Sequence, residues 1–168
     1  METRPALLAS VVLVAAMIAP AAHAQVLLTQ PAHLGVAGRP EWDTFAGRTP
    51  AGESLTLTFD ARANTSEHTL LIRQEDVKQG WSVELNGQPL GSLVRMEADL
   101  LHALAIPTGL LRTGANTLRI GSKTPTDDIV LHGIRLETAP MATVLGAATL
   151  RVRVTGDDGT PLPARVTV

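Results

Sequence analysis

The chain has 168 residues, with 14 basic and 16 acidic side chains for a formal charge of −2, five His and no Cys. This near-neutral balance argues against a nucleic-acid or acidic-membrane binder, which needs a clustered basic surface, and the lack of thiols excludes disulfides, thiolate metal sites and a Cys nucleophile. The length suits one ordinary domain and a short additional segment, while Trp42, Phe45, Phe59 and Trp81 are sparse material for stacking on sugars or bases.

Residues 1–24 read METRPALLASVVLVAAMIAPAAHA. Arg4 precedes an apolar run from about Ala6 to Ala19, Pro20 ends it, and Ala22-His23-Ala24 places small residues at the −3 and −1 positions of a cleavage site. This pattern predicts a signal peptide over 1–24, a mature chain starting at Gln25, and export to a periplasmic or extracellular location. The apolar run is shorter than the ~20 residues that cross a bilayer, so no transmembrane segment is expected after cleavage.

Beyond the leader the chain alternates with period two. Ser54-Leu55-Thr56-Leu57-Thr58-Phe59-Asp60-Ala61 reads as a strand with one buried face, and residues 69–77 form a second candidate with Leu70 and Ile72 inward. Trp81, Val83 and Leu85 mark a third. Asn86-Gly87 then supplies the positive φ angles of a tight hairpin turn, and Pro89 places the return strand, residues 90–94, at a sheet edge. A short helical turn is expected around residues 96–103. The turn at residues 113–116 separates the segment 106–111 from a strand at 117–120. In residues 129–137 the pairs Ile129/Leu131 and Ile134/Leu136 are offset by three, which predicts a β-bulge at His132-Gly133, with glycine tolerating the irregular backbone.

Residues 139–148 read as a linker. A new alternation follows in residues 150–154, with a turn at 156–159. Because a lone ribbon is marginal in water, residues 149–168 are expected to open a second sandwich whose remainder lies beyond this chain. The expected core comprises Leu55, Leu57, Phe59, Leu70, Ile72, Trp81, Val83, Leu85, Leu118, Ile120, Ile129, Leu131, Ile134 and Leu136, and an Asp at Leu57 or Val83 is expected to unfold the domain. The fold class is all-β.

The runs WSVELNGQPLG (81–91), AIPTGLLRTGANTLRI (105–120) and DDIVLHGIRLE (127–137), in this order, resemble the galactose-binding-like jelly rolls. The resemblance covers about residues 54–137. TGDDGTPLPARVTV (155–168) resembles the opening of the carboxypeptidase-regulatory-like sandwich that follows such a jelly roll in secreted CehA/McbA-type (PHP-domain) metallohydrolases. Together they imply an antiparallel jelly-roll β-sandwich over 25–138 and the first hairpin of a truncated carboxypeptidase-regulatory-like or Ig-like sandwich over 149–168. In those proteins a metal-binding hydrolase domain lies further towards the C-terminus. Its His and Asp ligands have no matching positions here, so the resemblance places neither metal nor catalysis on any residue of this chain.

Local chemistry is thin. His33, His68, His102 and His132 lie at least 30 residues apart and form no zinc-ligand pair. No nucleophile elbow, P-loop or GxGxxG is present. Asp127-Asp128 and Asp157-Asp158 read as turn residues bonding their own backbone. No cofactor is expected, although the resemblance allows a structural Ca²⁺ to which Asp60 and Glu137 could contribute. Phe59 and Trp81 fall on apolar phases, which leaves Trp42 and Phe45 as the candidate ligand-binding pair, either as a sugar platform or, the favoured reading, as a plug at the end of the sandwich. The first functional expectation is a noncatalytic accessory or structural region whose partners are downstream domains of the same polypeptide, among them a metal-dependent hydrolase. The alternative is a carbohydrate-binding module using the Trp42/Phe45 region.

Overall fold

A computed structural model describes residues 24–122, 126–146, 152–156, 158–163 and 165. Of the leader expected over residues 1–24, residues 1–23 lie outside the described residues, and Ala24 opens the first strand. Among the described residues there are nine strands: β1 (Ala24–Leu28), β2 (Ala32–Leu34), β3 (Ser54–Ala61), β4 (His68–Glu75), β5 (Trp81–Leu85), β6 (Gln88–Ser92), β7 (Leu100–Ile106), β8 (Gly114–Ser122) and β9 (Ile129–Glu137). They form two antiparallel sheets. One runs β1-β9-β4-β7, with β2 continuing beside β1 on β9, and the other runs β3-β8-β5-β6. From β2 onwards every connection except the β5–β6 hairpin crosses from one sheet to the other, giving an all-β jelly-roll sandwich.

Alternation explains the core. Trp81, Val83 and Leu85 from β5, Leu118 and Ile120 from β8, Leu70 and Ile72 from β4, and Ile129, Leu131, Ile134 and Leu136 from β9 all face inward and are buried. Each such side chain contributes about 1.5–3 kcal/mol of transfer free energy. Leu55, Leu57 and Phe59, expected in the core, are only half-buried. The reason is position: β3 is the outer strand of its sheet, so its inward side chains are covered from one side alone. Their share is taken by Leu34, Val77, Leu93, Ile106 and Leu111, several of them in loops.

The Asn86-Gly87 turn forms with φ of 54° and 77°, and β6 with Pro89 is an edge strand, starting two residues earlier than expected. The expected helical turn over residues 96–103 is not there. Leu100–Ile106 is a strand paired along its length with β4, because a short apolar run reads equally as helix or strand until a partner edge decides. The bulge in β9 is present: Arg73 pairs with Gly133 and Gln74 with Leu131, so His132 is the residue looped out, and all four flanking apolar side chains are buried. Gly133 itself keeps a negative φ, so the irregular backbone is not what calls for glycine there.

Within the expected linker, Met141–Val144 makes one helical turn, α1. In the expected ribbon, Gly159 N donates to Gly156 O and Thr155 bridges Pro161. Val152, Arg153 and Val154 are exposed and outside any ladder, while residues 147–151, 157, 164 and 166–168 fall outside the described residues.

Candidate functional site

Four connections gather at one end of the sandwich: β2–β3 (residues 35–53), β4–β5 (76–80), β6–β7 (93–99) and the approach to β9 ending at Asp127-Asp128. Buried loop backbone needs hydrogen-bond partners, and here two consecutive carboxylates supply them. Asp127 is fully buried, and its Oδ2 accepts from Trp81 Nε1 at 2.8 Å, Gln79 N at 2.9 Å and Lys78 N at 3.2 Å. Asp128 accepts from Glu41 N at 2.5 Å on Oδ2 and from His33 Nε2 at 2.7 Å on Oδ1. The expectation that this pair bonds its own backbone is therefore corrected: each carboxylate anchors a different distant loop. Gly35 makes this possible, since a Cβ there would lie 1.9 Å from Asp128 Oδ1.

Lys78 ties these loops together. Its Nζ lies 2.6 Å from Asp76 Oδ1, 3.1 Å from Glu41 Oε2 and 4.0 Å from Asp127 Oδ1, an oxygen with no hydrogen-bond partner among the described residues. Burial opposes the charged ammonium, but hydrogen bonds to Asp76 and Glu41, with their charges, outweigh it and raise Lys78 above the ordinary lysine pKa. The ammonium thus stays charged as the counter-ion of the carboxylates around it. Asp76 reaches this position from a left-handed turn at φ 63°, a conformation Asp tolerates better than most residues.

The structure separates the two expected site residues. Phe45, in a 3-10 turn at Asp43–Phe45, is buried and stacks on His33 with centroids 4.7 Å apart and an 18° interplanar angle. With His33, Pro40, Arg48 and Asp128, among others, it lines a recess of about 240 Å³. Trp42 turns the other way. It is 55 % exposed, and Lys78 Nζ sits 5.9 Å from its ring centroid, within cation–π range. An indole is thereby held at the rim of a rigid polar frame rather than on a free loop.

At this end Glu41, Asp76, Asp127 and Asp128 are all engaged in hydrogen bonds or ion pairs with neighbouring loops. Among the described residues no group of three or more His, Cys, Asp or Glu is arranged to hold a metal ion. Asp60 and Glu137 lie on different sheets, on β3 and β9. The remaining histidines are dispersed: His132 Nε2 bonds Glu75 Oε2 at 2.6 Å, His102 lies on β7, and His68 lines an opening of about 770 Å³ at the opposite end. The site residues missed in the sequence are Glu41, Asp76 and Lys78. Their one available signal is that charged residues flank Trp42 and Trp81 in loops.

No protein-family model matches the chain, and no curated protein matches it. Solved structures do. A family 35 carbohydrate-binding module from an environmental isolate aligns at 17 % identity over 62 % of this chain and 82 % of its own, with a TM-score of 0.44. Dimeric latent PorU from Porphyromonas gingivalis aligns at 14 % identity over 69 % of this chain and 12 % of its own, with a TM-score of 0.47. The CBM36-1 domain of a multidomain xylanase from the hindgut metagenome of Trinervitermes trinervoides aligns at 8 % identity over 68 % of this chain and 95 % of its own, with a TM-score of 0.40.

Proposed function

We propose that this sandwich is a noncatalytic carbohydrate-binding module whose contact surface is the loop end around Trp42. The observation that carries the reading is the indole of Trp42, 55 % exposed yet fixed beside the Lys78 network. A pre-positioned aromatic face suits the apolar side of a pyranose ring and loses little entropy on binding. Phe45 supports the loop and does not touch ligand. Lys78, the cation beside the Trp42 ring, is already paired with Asp76 and Glu41, which favours a neutral sugar over a uronic acid. In this reading the module works after export, with downstream domains of the same polypeptide as its partners.

The test is tryptophan fluorescence titration with soluble neutral polysaccharides (xylan, mannan, galactan) and with polygalacturonate. Trp81 is buried and hydrogen-bonded to Asp127, so a spectral response reports Trp42. The expected result is saturable binding of a neutral polysaccharide, weakened on the order of tenfold by Trp42→Ala, the ~1.4 kcal/mol scale of one aromatic hot spot. Absence of any response in the wild-type protein would return the domain to a purely structural role.

A further inference from the structure

The outward face of the five-stranded sheet carries a second feature, remote from Trp42. Strand register places Val26, Arg135, Leu71 and Ala103 in one row across β1, β9, β4 and β7, and Gly133, Arg73 and Leu101 in the next. Between these rows runs a groove of about 690 Å³ lined by Val26, Leu28, Leu71, Leu101, Arg73 and Arg135, with Gly133 and Asp99. This volume lies in the range of small-molecule sites. Val26 and Leu101 are each 53 % exposed on its walls.

Gly133 is the informative residue. Its φ is negative, and a Cβ built there would meet nothing closer than Leu28 O at 3.7 Å, an ordinary contact. Neither backbone geometry nor crowding asks for glycine, whereas any larger side chain would project into the groove. The charges are equally specific. Arg73 is paired with Asp99, with Nε 2.9 Å from each carboxylate oxygen and Nη2 also bonded. The Arg135 side chain makes no ion pair or hydrogen bond among the described residues, and Glu137, two residues further along the same face, is outside ion-pair distance. A free guanidinium beside an apolar trough on rigid strands complements a ligand with one carboxylate and an aliphatic body.

We propose that this groove binds a small amphiphilic carboxylate of the medium-chain carboxylic acid class. The carboxylate engages Arg135, and the chain lies over Gly133 against Val26, Leu28, Leu71 and Leu101. The site is independent of the carbohydrate reading.

The experiment titrates decanoate, below its micellar concentration, into the full chain by isothermal calorimetry, with 1-decanol as the uncharged probe. Saturable decanoate binding is expected, weakened roughly tenfold or more by Arg135→Gln and abolished by Gly133→Leu with an unchanged circular dichroism spectrum. Should Gly133→Leu fail to fold, Leu101→Gln, on an exposed edge-strand position, is expected to weaken binding in its place. Any one of three results overturns the proposal: no decanoate binding by the wild-type chain, equal affinity for decanol, or binding undiminished in a folded groove variant. A wild-type dimer that becomes monomeric in Gly133→Leu, by sedimentation, overturns it too, because a second copy would then fill the groove.

Discussion

Removing the Asp127 carboxylate tests the account of the loop end most directly. The side chain is fully buried, and one oxygen serves three donors: the Trp81 indole and the amides of Lys78 and Gln79. In Asp127→Ala those donors lose their acceptor together, and a buried donor left without a partner costs about 1–3 kcal/mol. The two amides belong to a half-buried loop and regain some water, so the net expectation is about 3–5 kcal/mol, a large part of the ~5–15 kcal/mol that holds a domain folded. Asp127→Asn keeps the shape and one acceptor but loses the charge that faces Lys78, and is expected to cost about 1.5–3 kcal/mol. Urea unfolding followed by circular dichroism measures both, with an unchanged m-value marking a true stability effect. A loss below about 1 kcal/mol in Asp127→Ala, or the reverse order of the two variants, would refute the anchoring role.

Three further outcomes follow from the packing. Val83→Asp, fully buried between the sheets, is expected to abolish cooperative unfolding, whereas Leu57→Asp on the half-buried edge strand should leave a folded domain destabilised by about 1–3 kcal/mol; equal damage in thermal melts would contradict the edge position of β3. Gly35→Ala places a methyl group 1.9 Å from Asp128 Oδ1, and the forced shift should cost about 1–3 kcal/mol, read as a lower Tm. Burial holds the His102 imidazole below its usual pKa, partly offset by a Ser92 backbone hydrogen bond, so the unfolded state takes up a proton first and stability falls as pH drops below about 6.5. His102→Gln should flatten the decline in Tm between neutral and mildly acidic pH, and an unchanged slope would argue against that burial.

What could be read from the chain follows the reach of side-chain periodicity. Strands β4, β5 and β9 show their inward residues because both neighbours of each inward position are outward, and the three-residue offset in β9 announces its bulge before any partner is known. Asn86-Gly87 is similarly local, since its turn depends on the φ that those residues tolerate. The degree of burial on β3 was not legible, because alternation tells which face is inward but not whether a further strand covers it. Nor was β7, where Leu100, Leu101, Ala103, Leu104, Ala105 and Ile106 are apolar on both faces; its outward apolar residues belong to the side of the sheet that carries the groove.

The loop end escapes periodicity altogether, and the reason is the distance its hydrogen bonds span. Asp127 reaches back 46 to 49 residues to Trp81, Gln79 and Lys78, while Asp128 reaches 87 residues to Glu41 and 95 to His33. Because they are neighbours just before a strand, the two carboxylates can serve loops on either side, one each, and the Glu41–Lys78 ion pair then joins those loops to each other. Trp42 follows Glu41 directly in the chain and inherits that fixation. In this chain the acidic pair ahead of β9 is therefore an anchor for irregular backbone, and Trp42, next to the anchored Glu41, is held in place beside Lys78. On that argument the position of Trp42 depends physically on the Asp127 and Asp128 carboxylates, which hold the loops on either side of it.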